Sequence, residues 1–193
     1  MSALDEGRAR KPPTTRGAVK ARLYHASQGP SKTSWGNKAA LEAALAGAGI
    51  NYLFLGRQLG ARPDDPACFV NGRVSYDRLG ARPEFAEGLD RVRETMAQER
   101  LALMCAERDP IECHRMILVC RGLRAPDVDI RHILFDGSTE TNQAAEARLC
   151  AALHLAADLW SSEAEAIEQA YDRQSRHIAY AQTPARRRST TGA

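Results

Sequence analysis

The chain has no long hydrophobic run. Its longest, Leu101–Ala106 and Met116–Cys120, are six and five residues, far short of the roughly 20 that cross a bilayer, so no membrane partner is expected. The opening residues, Met-Ser-Ala-Leu-Asp-Glu, are acidic and lack the apolar stretch of a secretory signal. No Gly-rich phosphate loop of either standard spacing occurs. No nucleophile elbow for Ser-His-Asp catalysis is present. The chain also has little excess of one charge, with 27 basic residues against 24 acidic ones and a net charge of +3.

What excess there is sits at the ends. Residues 1–25 carry Arg8, Arg10, Lys11, Arg16, Lys20 and Arg22 against Asp5 and Glu6, and Arg186, Arg187 and Arg188 lie near the C-terminus. The body between is net acidic. A nucleic-acid binder carries its basic stripe on the folded surface, so solvated ends are the plain reading and weak nucleic-acid attraction through them is the alternative. The five cysteines, an odd number without a signal segment, point to reduced thiols in the cytoplasm. A chain of 193 residues that is 44% hydrophobic suits one globular domain. The expected division is an irregular basic segment over 1–30, a single domain over 31–182 and a basic tail over 183–193.

Leu41, Ala44, Leu45 and Ala48 share a helical face, with Gly49 as a stop. Ile50–Leu55 reads as a strand. Residues 56–81, rich in Gly, Pro and Asp, read as a long loop of the kind that often carries function. Phe85, Leu89, Val92 and Met96 mark an amphipathic helix. Leu101–Cys105 does not alternate and reads as a buried parallel strand. Asp109-Pro110-Ile111-Glu112 has an N-cap, a proline at N1 and a capping-box glutamate, so a helix is expected from Pro110 to about Gly122. A strand within Val128–Phe135 and helices over 140–157 and 162–180 follow. This alternation predicts an α/β fold, a three-layer sandwich with a mainly parallel sheet and a helical C-terminal extension.

The chemistry concentrates in Cys105-Ala-Glu-Arg-Asp-Pro-Ile-Glu-Cys-His-Arg115. Ligands bind beyond the carboxyl ends of strands in open sheets, and a helix N-terminus favours anions and thiolates. Cys105, Glu107, Cys113, His114 and Arg115 are therefore expected around one crevice, with His132 facing it from the next strand. Cys105 or Cys113 is the candidate thiol, His132 or His114 the proton carrier, and Glu107 an acid/base or helix-tip group. Arg115, with Arg62 and Arg57 from the long loop, is the anion clamp. Each residue also has a structural reading: a buried core thiol, a packed histidine, a capping carboxylate, a solvated arginine. Zinc is weighed and set aside. Cys105 and Cys113 are spaced unlike a knuckle, and adjacent Cys113 and His114 on a helix point about 100° apart. No metal is expected, and nothing names a cofactor.

CAERDPIECHR followed by RHILFDG resembles the bacterial family named domain of unknown function 488. Gly49-Ile-Asn-Tyr-Leu-Phe-Leu with Leu59-Gly-Ala-Arg62, then Phe85, Gly88 and Leu89, then Glu146, Arg148 and Leu149, and finally Ala170–Gln174 with Ile178–Tyr180 match further family segments. The resemblance spans about residues 30–180. It implies an α/β domain with a Cys and Cys-His-Arg crevice and assigns no activity. Members open with a strand, a helix and a second strand ending in Asp-Val-Arg, then Pro-x-Ser and Phe-Asn-Lys. Ser31-Lys32, Trp35-Gly36 and Asn37-Lys38 echo the later part, and Arg22 is a loose counterpart of the arginine. The composition of residues 1–26 leads us to expect that this chain lacks the first strand–helix–strand unit. The functional expectation is a thiol-dependent enzyme on a small or polymeric anionic, nucleotide-like substrate. The alternatives are a non-catalytic ligand- or nucleic-acid-binding module, or a degenerate family member.

Overall fold

The computed structural model describes residues 21–25, 38–156 and 162–182. The basic ends and the Ser31-Lys32 and Trp35–Asn37 echoes lie outside these residues. Strand β1, Ala21–His25, is followed by helix α1, Lys38–Gly47, and strand β2, Ile50–Phe54. Gly49 takes φ 72°, a left-handed turn that glycine accepts without a Cβ clash, and it ends the helix as the sequence predicts. β1 lies within the segment read as irregular, so that reading is corrected for these five residues.

The expected long loop is structured. Helix α2, Gly56–Leu59, comes first, and a 3-10 turn, Pro66–Cys68, follows. Strands β3, Phe69–Val70, and β4, Arg73–Val74, then pair antiparallel. Asn71 and Gly72 between them have φ of 51° and 75°, the two positive values of a tight hairpin turn for which Asn-Gly is the strongest short signal. Helix α3, Tyr76–Gly80, is capped by the Ser75 hydroxyl, which accepts from the Arg78 amide. Helix α4, Pro83–Met96, buries Phe85, Gly88, Leu89 and Val92 on the predicted face. Strand β5, Arg100–Met104, follows.

The predicted helix from Pro110 to Gly122 is broken. A 3-10 turn spans Pro110–Glu112, Cys113 is extended at φ −119° and ψ 131°, and a π-type helix over Arg115–Cys120 runs into α5, Arg121–Leu123. The Asp109 carboxylate caps the turn by accepting from the Ile111 amide. Glu112 completes no capping box; it accepts from Gln174 Nε2. Strands β6, Arg131–Ile133, and β7, Thr139–Thr141, form an antiparallel ribbon, and helices α6, Asn142–Ala152, and α7, Glu163–Ile178, close the chain.

The three-layer sandwich with a mainly parallel sheet is overturned. About half of the described residues are helical. Parallel pairing is confined to three five-residue strands in the order β2-β1-β5, and the other strands form two separate antiparallel ribbons. The reason lies in the last strand segment. A parallel crossover needs a helix between partners, whereas β6 meets β7 across the short Asp136–Ser138 turn. The core gathers helices instead, around Leu59, Leu79, Val92, Met116, Ile117 and Leu149, each no more than 1% exposed.

Candidate functional site

Cys105 follows β5, and Cys113 and His114 link the Pro110–Glu112 turn to the π-type helix. The extended backbone at Cys113 breaks the helical 100° offset that separates adjacent side chains. Cys113 and His114 therefore both reach the side chains after β5. Donor atoms of Cys105, Glu107, Cys113 and His114 lie within 4.8 Å of one another. π-type turns recur at functional positions, and here one begins directly behind the cluster.

Glu107 Oε2 accepts from the Cys105 thiol at 2.5 Å and lies 3.4 Å from Cys113 Sγ. His114 Nδ1 is 3.3 Å from Cys105 Sγ. The Arg115 amide donates to Cys113 Sγ at 3.3 Å, and its guanidinium donates to the Leu103 carbonyl at 3.4 Å. Cys113 is fully buried and His114 nearly so, whereas Cys105 is half-buried and Glu107 exposed. Solvent thus meets the cluster at Cys105 and Glu107, with Cys113 behind.

The charges follow from this arrangement. A hydrogen bond from Cys105 draws the Cys113 thiol well below its ordinary range against the cost of burial, helped by His114 and Arg115. Cys105 moves the other way, because the neighbouring Cys113 sulfur, burial and the Glu107 carboxylate all disfavour its charge. Burial alone would raise Glu107, yet the thiol of Cys105, its own backbone and His114 hold its carboxyl below the usual range. The two sulfurs titrate as a pair, and the pair keeps one proton after the first has left.

Sequence reasoning missed three supports. Tyr76 is buried, and burial followed by the negative charge of Cys113, Glu107 and Cys105 pushes its phenol up. Its signal is the Asn-Gly hairpin that delivers α3. Arg148 grips Asp109 through two bonds of 3.0 and 2.9 Å and Glu140 through two more. Gln174 Nε2 donates to the Ile111 carbonyl at 2.8 Å. Residues of α6 and α7 thereby fix the turn that presents Cys113.

Other expected members fall elsewhere. His132 does not join the cluster. It is buried against Asn142 Oδ1 at 3.0 Å, and burial lowers its pKa. Asn142 and Glu146 extend that contact, since Asn142 Nδ2 and the Tyr171 hydroxyl both donate to Glu146 Oε1 at 2.8 Å. Arg62 lies over the Tyr180 ring at 5.0 Å, and Arg57 is exposed on α2. Among the described residues neither arginine forms a hydrogen bond or ion pair with the cluster. Arg115 and His132 instead line a neighbouring cavity of about 400 Å³ beside β5, with Glu99, Asp127 and Asp129.

The family model described as "Domain of unknown function DUF488" matches residues 26–121. Over that span the chain belongs to this family. No curated protein and no solved structure matches the chain. The DUF488 span begins just after β1 and ends at the first residue of α5, so it holds all four cluster residues and Arg115, while Arg148 and Gln174 lie beyond it. No helix among the described residues is long and apolar enough to cross a membrane. As a donor set, two sulfurs, an imidazole and a carboxylate are of the types zinc takes, and the earlier objection from adjacent helical positions does not hold at the extended Cys113.

Proposed function

We propose that the cluster is the active site of a thiol-dependent enzyme on a small anionic substrate, with Cys105 as the sulfur that meets it. The observation that supports this reading is the convergence of Cys105, Glu107, Cys113 and His114 within 4.8 Å, with Cys105 at the mouth. A thiolate is the nucleophile, and Cys105 has a proton acceptor in place at Glu107 Oε2, with His114 Nδ1 3.3 Å from its sulfur. Exposed Glu107 connects that proton to solvent. The guanidinium of Arg115 supplies positive charge to the adjoining cavity, where the carboxylates of Glu99, Asp127 and Asp129 leave the Arg115 end as the place for an anion.

Paired alkylating agents test both parts. Neutral iodoacetamide and anionic iodoacetate are compared on the folded chain and on the urea-unfolded chain at pH 7. The expected result is faster labelling of Cys105 in the folded state, with a preference for iodoacetate that Arg115→Ala removes. Labelling no faster than in the unfolded chain would reject the enzyme reading and favour a binding module.

A further inference from the structure

We propose that Cys105 and Cys113 work as a dithiol that reduces a small anionic disulfide, Cys105 attacking and Cys113 resolving. This rests on the reading of Cys105 as the substrate-facing thiol. A single-nucleophile site has no need of a second sulfur, yet Cys113 lies within 4.8 Å of Cys105 and shares Glu107 Oε2 with it. The two differ in access. Cys105 is half-buried and Cys113 is fully buried, so an incoming disulfide meets the first and only the second can meet the product of that attack. Cys113 is held by the backbone bonds and braces of its turn, whereas Cys105 stands just past the end of β5 and is only half-buried. The small closure that brings the two sulfurs to a bond of about 2.05 Å therefore falls to Cys105.

The chemistry balances. Cys105 loses its proton to Glu107 as its sulfur attacks one sulfur of the substrate; a Cys105–substrate S–S bond forms, the substrate's own S–S bond breaks, and one thiolate leaves. Cys113 then attacks the Cys105 sulfur. A Cys105–Cys113 bond forms, the mixed disulfide breaks, and the second thiolate leaves. The two protein thiols are oxidised and the substrate disulfide is reduced: the Cys105 proton passes on from Glu107, and the Cys113 proton passes through solvent, to the two leaving thiolates, which depart as thiols. The Arg115 amide donates to Cys113 Sγ at 3.3 Å and so holds the resolving sulfur beside Cys105.

The full chain, reduced and treated with chelator, is mixed with glutathione disulfide and followed by intact mass and peptide mapping. The expected result is a Cys105–Cys113 disulfide without a lasting adduct, and a persistent glutathione adduct on Cys105 in Cys113→Ser. If that variant does not fold by circular dichroism, Cys113→Ala replaces it and the wild-type map still decides. A persistent adduct on wild-type Cys105 overturns the dithiol while leaving the thiol-enzyme reading intact. Absence of reaction with glutathione disulfide at a Cys105 that iodoacetamide labels rapidly has the same consequence, and absence of both reactions overturns both readings. One zinc ion per chain in protein isolated without chelator, withholding both sulfurs from the disulfide, also overturns the proposal.

Discussion

At the scale of single residues, the decisive feature is a pair of sulfurs that share one carboxylate oxygen, Glu107 Oε2. The groups facing the pair are Glu107, His114, Arg115 and Tyr76. Because the Cys113 value is lowered while that of Cys105 is raised, the first proton leaves the pair below the ordinary thiol range as pH rises, and Cys105 reacts through the form of that state in which the remaining proton sits on Cys113. Removing the Arg115 charge weakens that effect. In Arg115→Ala the pH midpoint of iodoacetamide labelling is expected to move upward by up to about one unit, read from the rate profile between pH 5 and 9 (roughly the range bracketing an ordinary thiol). Glu107→Gln keeps the size of the side chain and removes the proton acceptor. Labelling of Cys105 at neutral pH should then slow by about 10-fold or more, with the fold unchanged by circular dichroism. Cys120 supplies the contrast: full burial pushes its thiol up to about 12, so it should label only after unfolding.

At the scale of elements, the question is what holds a broken helix in place. The Pro110–Glu112 turn is too short to persist alone. Arg148 on α6 clamps Asp109, and Gln174 on α7 satisfies the Ile111 carbonyl. Arg148→Met strips a partner from Glu140, which is 12% exposed, and from the more exposed Asp109. We expect a loss of about 1–2 kcal/mol, discounted for solvent at Asp109, measured by urea unfolding, together with slower Cys105 labelling. Packing sets a second limit where α2 crosses α4. A Cβ on Gly88 would stand 2.7 Å from Gln58 Cβ and 2.8 Å from Leu59 Cδ2, so Gly88→Ala should cost about 1–3 kcal/mol through overpacking.

At the scale of the whole molecule, the family span and the folding unit differ. Residues 26–121 contain the chemistry, but Leu149, Ala170 and Tyr171 complete its core and the Arg148 and Gln174 braces come from the same helices. A chain ending at residue 121 would expose that apolar surface. It should show no cooperative melting transition by circular dichroism, whereas the full chain should. The helical weight of the C-terminal half also explains why reading strands and helices in alternation misplaced the architecture. Helix α4 and strand β5 were legible from their apolar pattern, and α6 and α7 fall within the expected helices, but the break at Cys113 and strand β7 were not read, and nothing in Arg131–Ile133 distinguishes a sheet partner for β5 from one arm of a ribbon. That choice depends on the Asp136–Ser138 turn and on where β7 falls.

Sequence alone determined what depends on local chemistry: the amphipathic face of α4, the stop at Gly49, the strand that leads into Cys105, and the concentration of thiols, carboxylate and imidazole between residues 105 and 115. Tertiary structure decided what depends on the meeting of distant segments. It bent the chain at Cys113 so that Cys113 and His114 both join Cys105, removed His132 and the two loop arginines from that group, and brought Tyr76, Arg148 and Gln174 to it. The physical reason is that periodicity reports which face of an element is apolar, while the partner that covers that face, and the backbone break needed to satisfy it, are settled only when remote side chains compete for the same space and the same hydrogen bonds.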